Sequence, residues 1–132
     1  MPPIPADVRE RLADAEYVWF TTVREDGMPQ PTPVWFIIEG DEFLIYSVPS
    51  AQKIRNLRAN PLVALSFTAQ DDAESFVVVQ GTARMAENLT PFPQAYLDKY
   101  LEPMREIGLT PEQMHQEYST RITVTATHTR VQ

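Results

Sequence analysis

Apolar positions along this chain change their spacing several times, and each change marks an element. Ile4, Val8, Leu12 and Ala15 recur at helical spacing between charged residues. With Pro5 and Asp7 suited to a first turn, that spacing predicts a short amphipathic helix. Tyr17 to Val23 is aromatic and β-branched and is closed by Arg24-Glu25-Asp26-Gly27, a strand followed by a turn. Val34 to Ile38 reads as a second strand, Glu39-Gly40-Asp41 as a tight turn, and Phe43 to Tyr46 as a third strand. Between Ser50 and Asn60 the pattern returns to a helical period, with Ser50 as cap, Ile54 and Leu57 inward, and Asn60-Pro61 as the stop.

Leu62 to Thr68 and Phe76 to Met85 read as two further strands around the acidic turn Gln70-Asp71-Asp72-Ala73-Glu74. Pro91 to Tyr118 is helical in composition, and Pro103, Gly108 and Pro111 are expected to break it into two or three pieces. From Thr120 the alternation is strict: Ile122, Val124, Ala126 and His128 fall on one face, with Arg121, Thr123, Thr125, Thr127 and Thr129 on the other. Six strands joined mostly by short turns, with short helices at the ends and at two crossings, predict a mainly β fold, a small six-stranded antiparallel barrel.

Two stretches break local rules. Pro29, Pro31 and Pro33 alternate just before Val34-Trp35-Phe36, so three backbone donors are missing from one strand edge. Such an edge either guards against strand addition or leaves room for a planar ligand. The helix after Ser50 carries Lys53, Arg55 and Arg58 but no acid in its first turn, although a helix N-terminus prefers one. An anion on the free amides beside Ser50, Gln52 and Lys53 would turn that cost into a gain. The alternative is a solvated basic face. His115 and His128 lack partners at metal-ligand spacing and are expected on a helix surface and at a strand end. Nucleophile elbows, Walker loops and Rossmann glycines are absent, and no metal site is predicted.

Composition narrows the class. The chain has 132 residues, within the ~150 expected of one domain, so residues 1–132 are taken as a single domain. Having no cysteine, it has no thiolate chemistry, which fits a reducing compartment. The formal net charge of -7 argues against nucleic acid and anionic membranes as partners. No leader and no apolar run near the ~20 residues of a membrane span is visible, and a cytoplasmic location is expected.

The order of these features, TTVREDGMPQPTPVWF, a turn, FLIYSVPSAQKIRNLRANPLVALSF and VVVQGTARM, resembles the flavin- or deazaflavin-binding split barrels related to pyridoxamine phosphate oxidase. The resemblance runs from Tyr17 to Met85 and again through the last strand. It is strongest for the small bacterial branch associated with the deazaflavin coenzyme F-420. It implies a homodimer with the cofactor at its interface, where Trp19, Trp35, Phe36 and Phe76 would supply apolar surface. Thr32, Pro33, Val34 and Trp35 would lie beside the ring, and Tyr46 and Ser47 near the ribityl chain. Gln52 and Lys53 would hold the phosphate; from the helix end and charge pattern alone, Ser50 joins them and Arg55 and Arg58 add positive charge.

There are also departures from that pattern. Pyridoxamine phosphate oxidases carry basic residues where this chain has Pro31 and Phe36, an arginine at Gln52 and an amide at Phe76. Their C-terminal arginine and histidine pair is not reproduced by Ala126-Thr127-His128-Thr129-Arg130. Pyridoxamine phosphate is therefore disfavoured as substrate. The resemblance implies an F-420-dependent oxidoreductase that transfers hydride to an unsaturated small molecule. The alternatives are an FMN-dependent reductase or oxidase, and a flavin- or haem-binding carrier.

Overall fold

A computed structural model describes residues 3–69 and 72–131. Gln70 and Asp71 of the expected acidic turn lie outside them. The elements follow in the order α1 (Ala6–Ala13), β1 (Val18–Val23), β2 (Pro29–Val34), β3 (Ile37–Glu39), β4 (Glu42–Ser47), α2 (Gln52–Ala59), β5 (Leu62–Ala69), β6 (Asp72–Glu87), α3 (Gln94–Glu106), α4 (Pro111–Glu117) and β7 (Thr120–Val131). All seven strands belong to one antiparallel sheet, ordered β2-β1-β5-β6-β7-β4-β3. The mainly β class is as expected; the strand count is seven instead of six.

The extra strand comes from the prolines. Pro29, Pro31 and Pro33 pair with Val23, Thr21 and Trp19 of β1, so N–H bonds from β2 to β1 fall to Gln30, Thr32 and Val34. The missing donors face the open edge, where nothing is lost. The expected strand Val34 to Ile38 is divided instead between the end of β2 and the start of β3, and its break falls at Trp35-Phe36.

Two apolar clusters give the fold its shape. Phe20, Val34, Phe43, Leu65, Val79 and Val124, from six strands, meet in one cluster, so the sheet wraps around a common interior. Ile4, Val8 and Leu12 of the α1 region and Ile54 and Leu57 of α2 pack against it. The second cluster joins Ile37 and Tyr46 to Phe92, Tyr96, Tyr100, Met104 and Met114, so α3 and α4 lie outside β3 and β4. This is why Phe43 to Tyr46 is apolar at every position: Phe43 and Ile45 face the first cluster, Leu44 and Tyr46 the second.

Four local expectations are corrected. Ser50 does not cap α2, because Ala51 occupies that position with no side-chain bond. Pro103 lies inside α3, where its missing donor forgoes a single late bond. The break comes at Gly108, with φ +79°, before the Thr110–Gln113 capping box that opens α4. Phe36, expected as exposed interface, is buried against Phe43, with ring centroids 5.7 Å apart. His128 is exposed instead of sharing the buried face, because the β6–β7 register shifts at Gln80 and Gly81 and skips Thr127. Among the described residues, no helix is long and apolar enough to cross a membrane.

Candidate functional site

The site is built where α2 begins beside β2. Ala51 precedes the helix in an extended conformation, and no acid stands in the first turn. The amides of Gln52 and Lys53 find no partner among the described residues, so the positive end of the helix is uncompensated. Lys53 pairs with no carboxylate among them, and burial lowers its ammonium pKa. Thr32, on β2, has a buried hydroxyl with no hydrogen-bond partner.

Two clefts adjoin at Lys53. The first, about 350 Å³, is lined by Gln30, Pro31, Thr32, Gln52, Lys53 and Asn56 among others. The second, about 160 Å³, is walled by Trp35, Tyr46, Lys53, Tyr96, Met114 and Tyr118, with Pro33 and Val34 at its β2 side. One end of this run is therefore polar with a free cation, and the other is a flat aromatic slot. That donor set suits an anionic group attached to a planar ring.

Sequence reasoning missed the network that fixes α2. Asn56 is 2% exposed and saturates its amide. Its Nδ2 donates to Thr22 Oγ1 and Gln30 Oε1, each at 2.9 Å, and its Oδ1 accepts from Gln52 Nε2 at 3.0 Å. Helix α2 is thereby bolted to β1 and β2, and Gln52 is oriented at the cleft. Nothing about a lone Asn within a basic helix announces this partnership.

The other sequence-predicted residues divide. Ser47 is buried and donates to Val48 O at 3.0 Å. Ser50 is exposed, its carbonyl accepting from Arg55 Nη1 at 2.9 Å. Arg55 also binds Gln52 Oε1 and turns toward a separate cleft beside Arg24, Glu25 and Asp26. Arg58 is exposed and lines none of these clefts. Of the three cations in α2, only Lys53 reaches the shared wall.

The aromatic slot takes its outer wall from Tyr96 of α3 and Met114 of α4, in a region that carried no recognisable motif. Tyr96, Tyr100 and Met104 follow an i, i+4, i+8 spacing and are fully buried; that spacing was the available signal. Tyr46 meets Tyr96 and Phe92 edge-on at 4.9 and 4.8 Å. Burial pushes the Tyr46 phenol up to about 12 and raises that of Tyr96 as well, so both stay neutral donors at ordinary pH. A larger cleft, about 500 Å³, lies around Phe92, Pro111 and His115 and shares no lining residue with the slot. His115, expected on a helix surface, lies on α4 and is half-buried there, with Nε2 2.7 Å from Thr90 O and its ring edge-on to Phe92.

Residues 4–131 match the model of the pyridoxamine 5'-phosphate oxidase family. The chain belongs to that family. Among solved structures it is similar to an F420 reductase, with 28% identity, a TM-score of 0.71, and coverage of 92% of this chain and 94% of that one. It also resembles the conserved hypothetical protein Rv2991 from Mycobacterium tuberculosis, with 22% identity, TM-score 0.71 and coverage of 96% and 82%. A third neighbour is HutZ, the haem storage protein from Vibrio cholerae, with 15% identity, TM-score 0.69 and coverage of 97% and 94%. The last two share the fold alone. No curated protein matches the chain. The fold is the family's split barrel, and the two clefts lie between its β2 edge, α2 and the α3–α4 cover.

Proposed function

We propose that this protein is an oxidoreductase that binds a reduced deazaflavin of the coenzyme F-420 type and delivers its hydride to an unsaturated small molecule. The observation that carries this reading is Lys53, unpaired and shared between the polar cleft and the aromatic slot. Lys53, the free amides of Gln52 and Lys53, and the Thr32 hydroxyl would hold the phosphate side. Pro33, Val34, Trp35 and Tyr46 would border the ring, and the cofactor would supply the hydride. The chain's own contribution is binding, orientation and exclusion of water. The 28% identity to an F420 reductase supports the deazaflavin over its rivals. A homodimer in a cytoplasmic setting belongs to the same reading, with the second copy closing each site.

Titrating the purified protein with F-420 and with FMN, followed by fluorescence, tests the reading. Micromolar affinity for F-420 is expected. If FMN alone binds, the protein is an FMN enzyme of the same fold. Binding without turnover on any quinone, enone or tetrapyrrole would make it a carrier. If neither cofactor binds more tightly than about 1 mM, a Kd worth only about 4 kcal/mol, the reading fails. Lys53→Ala should weaken binding about tenfold or more, the worth of one charge-assisted contact.

A further inference from the structure

We propose that Lys99 and Tyr100 are positioning residues for the site: from α3 they clamp the Trp35–Phe36 break and thereby hold Trp35 as a wall of the slot. The break is the point at which β2 and β3 leave the ladder, so the Phe36 backbone has no strand partner and must find one elsewhere. It finds both partners on α3. Phe36 N donates to Tyr100 Oη at 2.8 Å, and Phe36 O accepts from Lys99 Nζ at 3.1 Å.

The Tyr100 hydroxyl has one proton and two carbonyls within reach, Glu16 O at 2.7 Å and Phe36 O at 3.0 Å. The shorter bond takes it, and Lys99 already serves Phe36 O. Tyr100 thus ties the break to the segment entering β1, joining three parts of the chain through one oxygen. Lys99 Nζ also lies 3.8 Å from the Phe36 ring centroid, so the cation grips both the backbone and the side chain of that residue.

Trp35 is fixed by the same residue. Its ring stacks on Tyr100, centroids 4.7 Å apart and planes 9° from parallel. Trp35 also lines the slot with Tyr46, Lys53 and Tyr96. The width of the slot on that side therefore depends on a helix lying outside the barrel. This clamp is a property of the cavity and does not depend on which cofactor binds.

The chain has two tryptophans, Trp19 and Trp35, so a Trp19→Phe parent leaves Trp35 as the sole reporter. In that parent, Tyr100→Phe keeps the stacked ring and removes the bridging oxygen, and Lys99→Met removes the donor to Phe36 O. Both should shift Trp35 emission and raise its acrylamide quenching constant about twofold or more, with far-UV circular dichroism retained. Val79→Ala, a cavity in the middle of β6, should destabilise the fold yet leave Trp35 emission in place. Affinity for FMN as a probe should fall about tenfold in both clamp variants. Unchanged emission and quenching in the folded variants would overturn the clamp, as would an equal change in Val79→Ala. If Tyr100→Phe does not fold, Lys99→Met decides alone. If FMN fails to bind the parent, affinity is read with F-420 instead; failure of both counts against the proposed function, while the emission data still judge the clamp.

Discussion

Lys53 and Lys99 are the chain's two lysines, and burial lowers the pKa of both. For Lys99 desolvation brings the ammonium down to about 8 from its ordinary 10.5, with the nearby Asp14 charge opposing the shift. The folded chain therefore binds fewer protons than the unfolded one between those values, and stability should rise with pH through that window. Above pH 10 the sign reverses, because the buried phenols of Tyr46, Tyr96 and Tyr100 are raised above their ordinary 10 and ionise first in the unfolded chain. Urea unfolding at pH 8 and just below pH 10 should show the gain in wild type and a smaller one in Lys99→Met. Equal slopes would remove Lys99 as the source. Asn56 is the other residue on which much depends. Asn56→Leu strands Thr22, Gln30 and Gln52 without their shared partner, at a cost of about 2–4 kcal/mol in chemical denaturation, and disorders Gln52 at the cleft. A loss under about 0.5 kcal/mol would mean that water replaces the amide.

Among the elements, the β6–β7 pairing has the least tolerance. At Gly81 an added Cβ would meet Thr125 O at 2.6 Å and Val124 Cγ1 at 2.8 Å, and the backbone atom cannot yield as a side-chain end could. Gly81→Ala should cost about 2 kcal/mol or more by chemical denaturation, and a neutral result would show that β7 moves aside at its bulge. That close approach could not be read from sequence, where Gly81 is one glycine in a β-branched run. What sequence did show was periodic: α1, β1, β5 and β7 follow from apolar spacing because each buries one face. The proline edge was legible from its alternation, since a missing donor costs nothing there, but the Trp35–Phe36 break was misplaced because Val34 to Ile38 is apolar throughout and carries no turn residue. The candidate site was legible on β2, β4 and α2, where residue types carry the chemistry. It was illegible on α3 and α4, where the same tyrosines serve equally as core. Only tertiary contact with Trp35 and Phe36 separates the two roles.

At the scale of the whole molecule, the outer face of β2, β1 and β5 is left open among the described residues. Trp19 is 45% exposed and Leu62 62% exposed, and the register sets Trp19 between Pro33 and Ser66 with Thr21 between Pro31 and Ala64. No charged side chain stands in those rows, which lie next to the cleft lined by Pro31 and Thr32 on a chain of net charge -7. An acidic chain that leaves an uncharged, apolar strip beside its site has the character of a surface meant for burial. A second copy burying roughly 800 Å² per partner, the size of a standard stable interface, would cover it. Trp19 is the anchor to remove, because large aromatics at the centre of a patch carry most of the association energy. Light scattering at tens of micromolar should give a dimer for wild type and a monomer for Trp19→Glu, with circular dichroism unchanged because the side chain points outward. Cofactor affinity should fall in the monomeric variant if the partner completes the site. A monomeric wild type would end the dimer expectation, whereas a dimeric Trp19→Glu would move the interface to another face and leave the proline edge free to border the ligand.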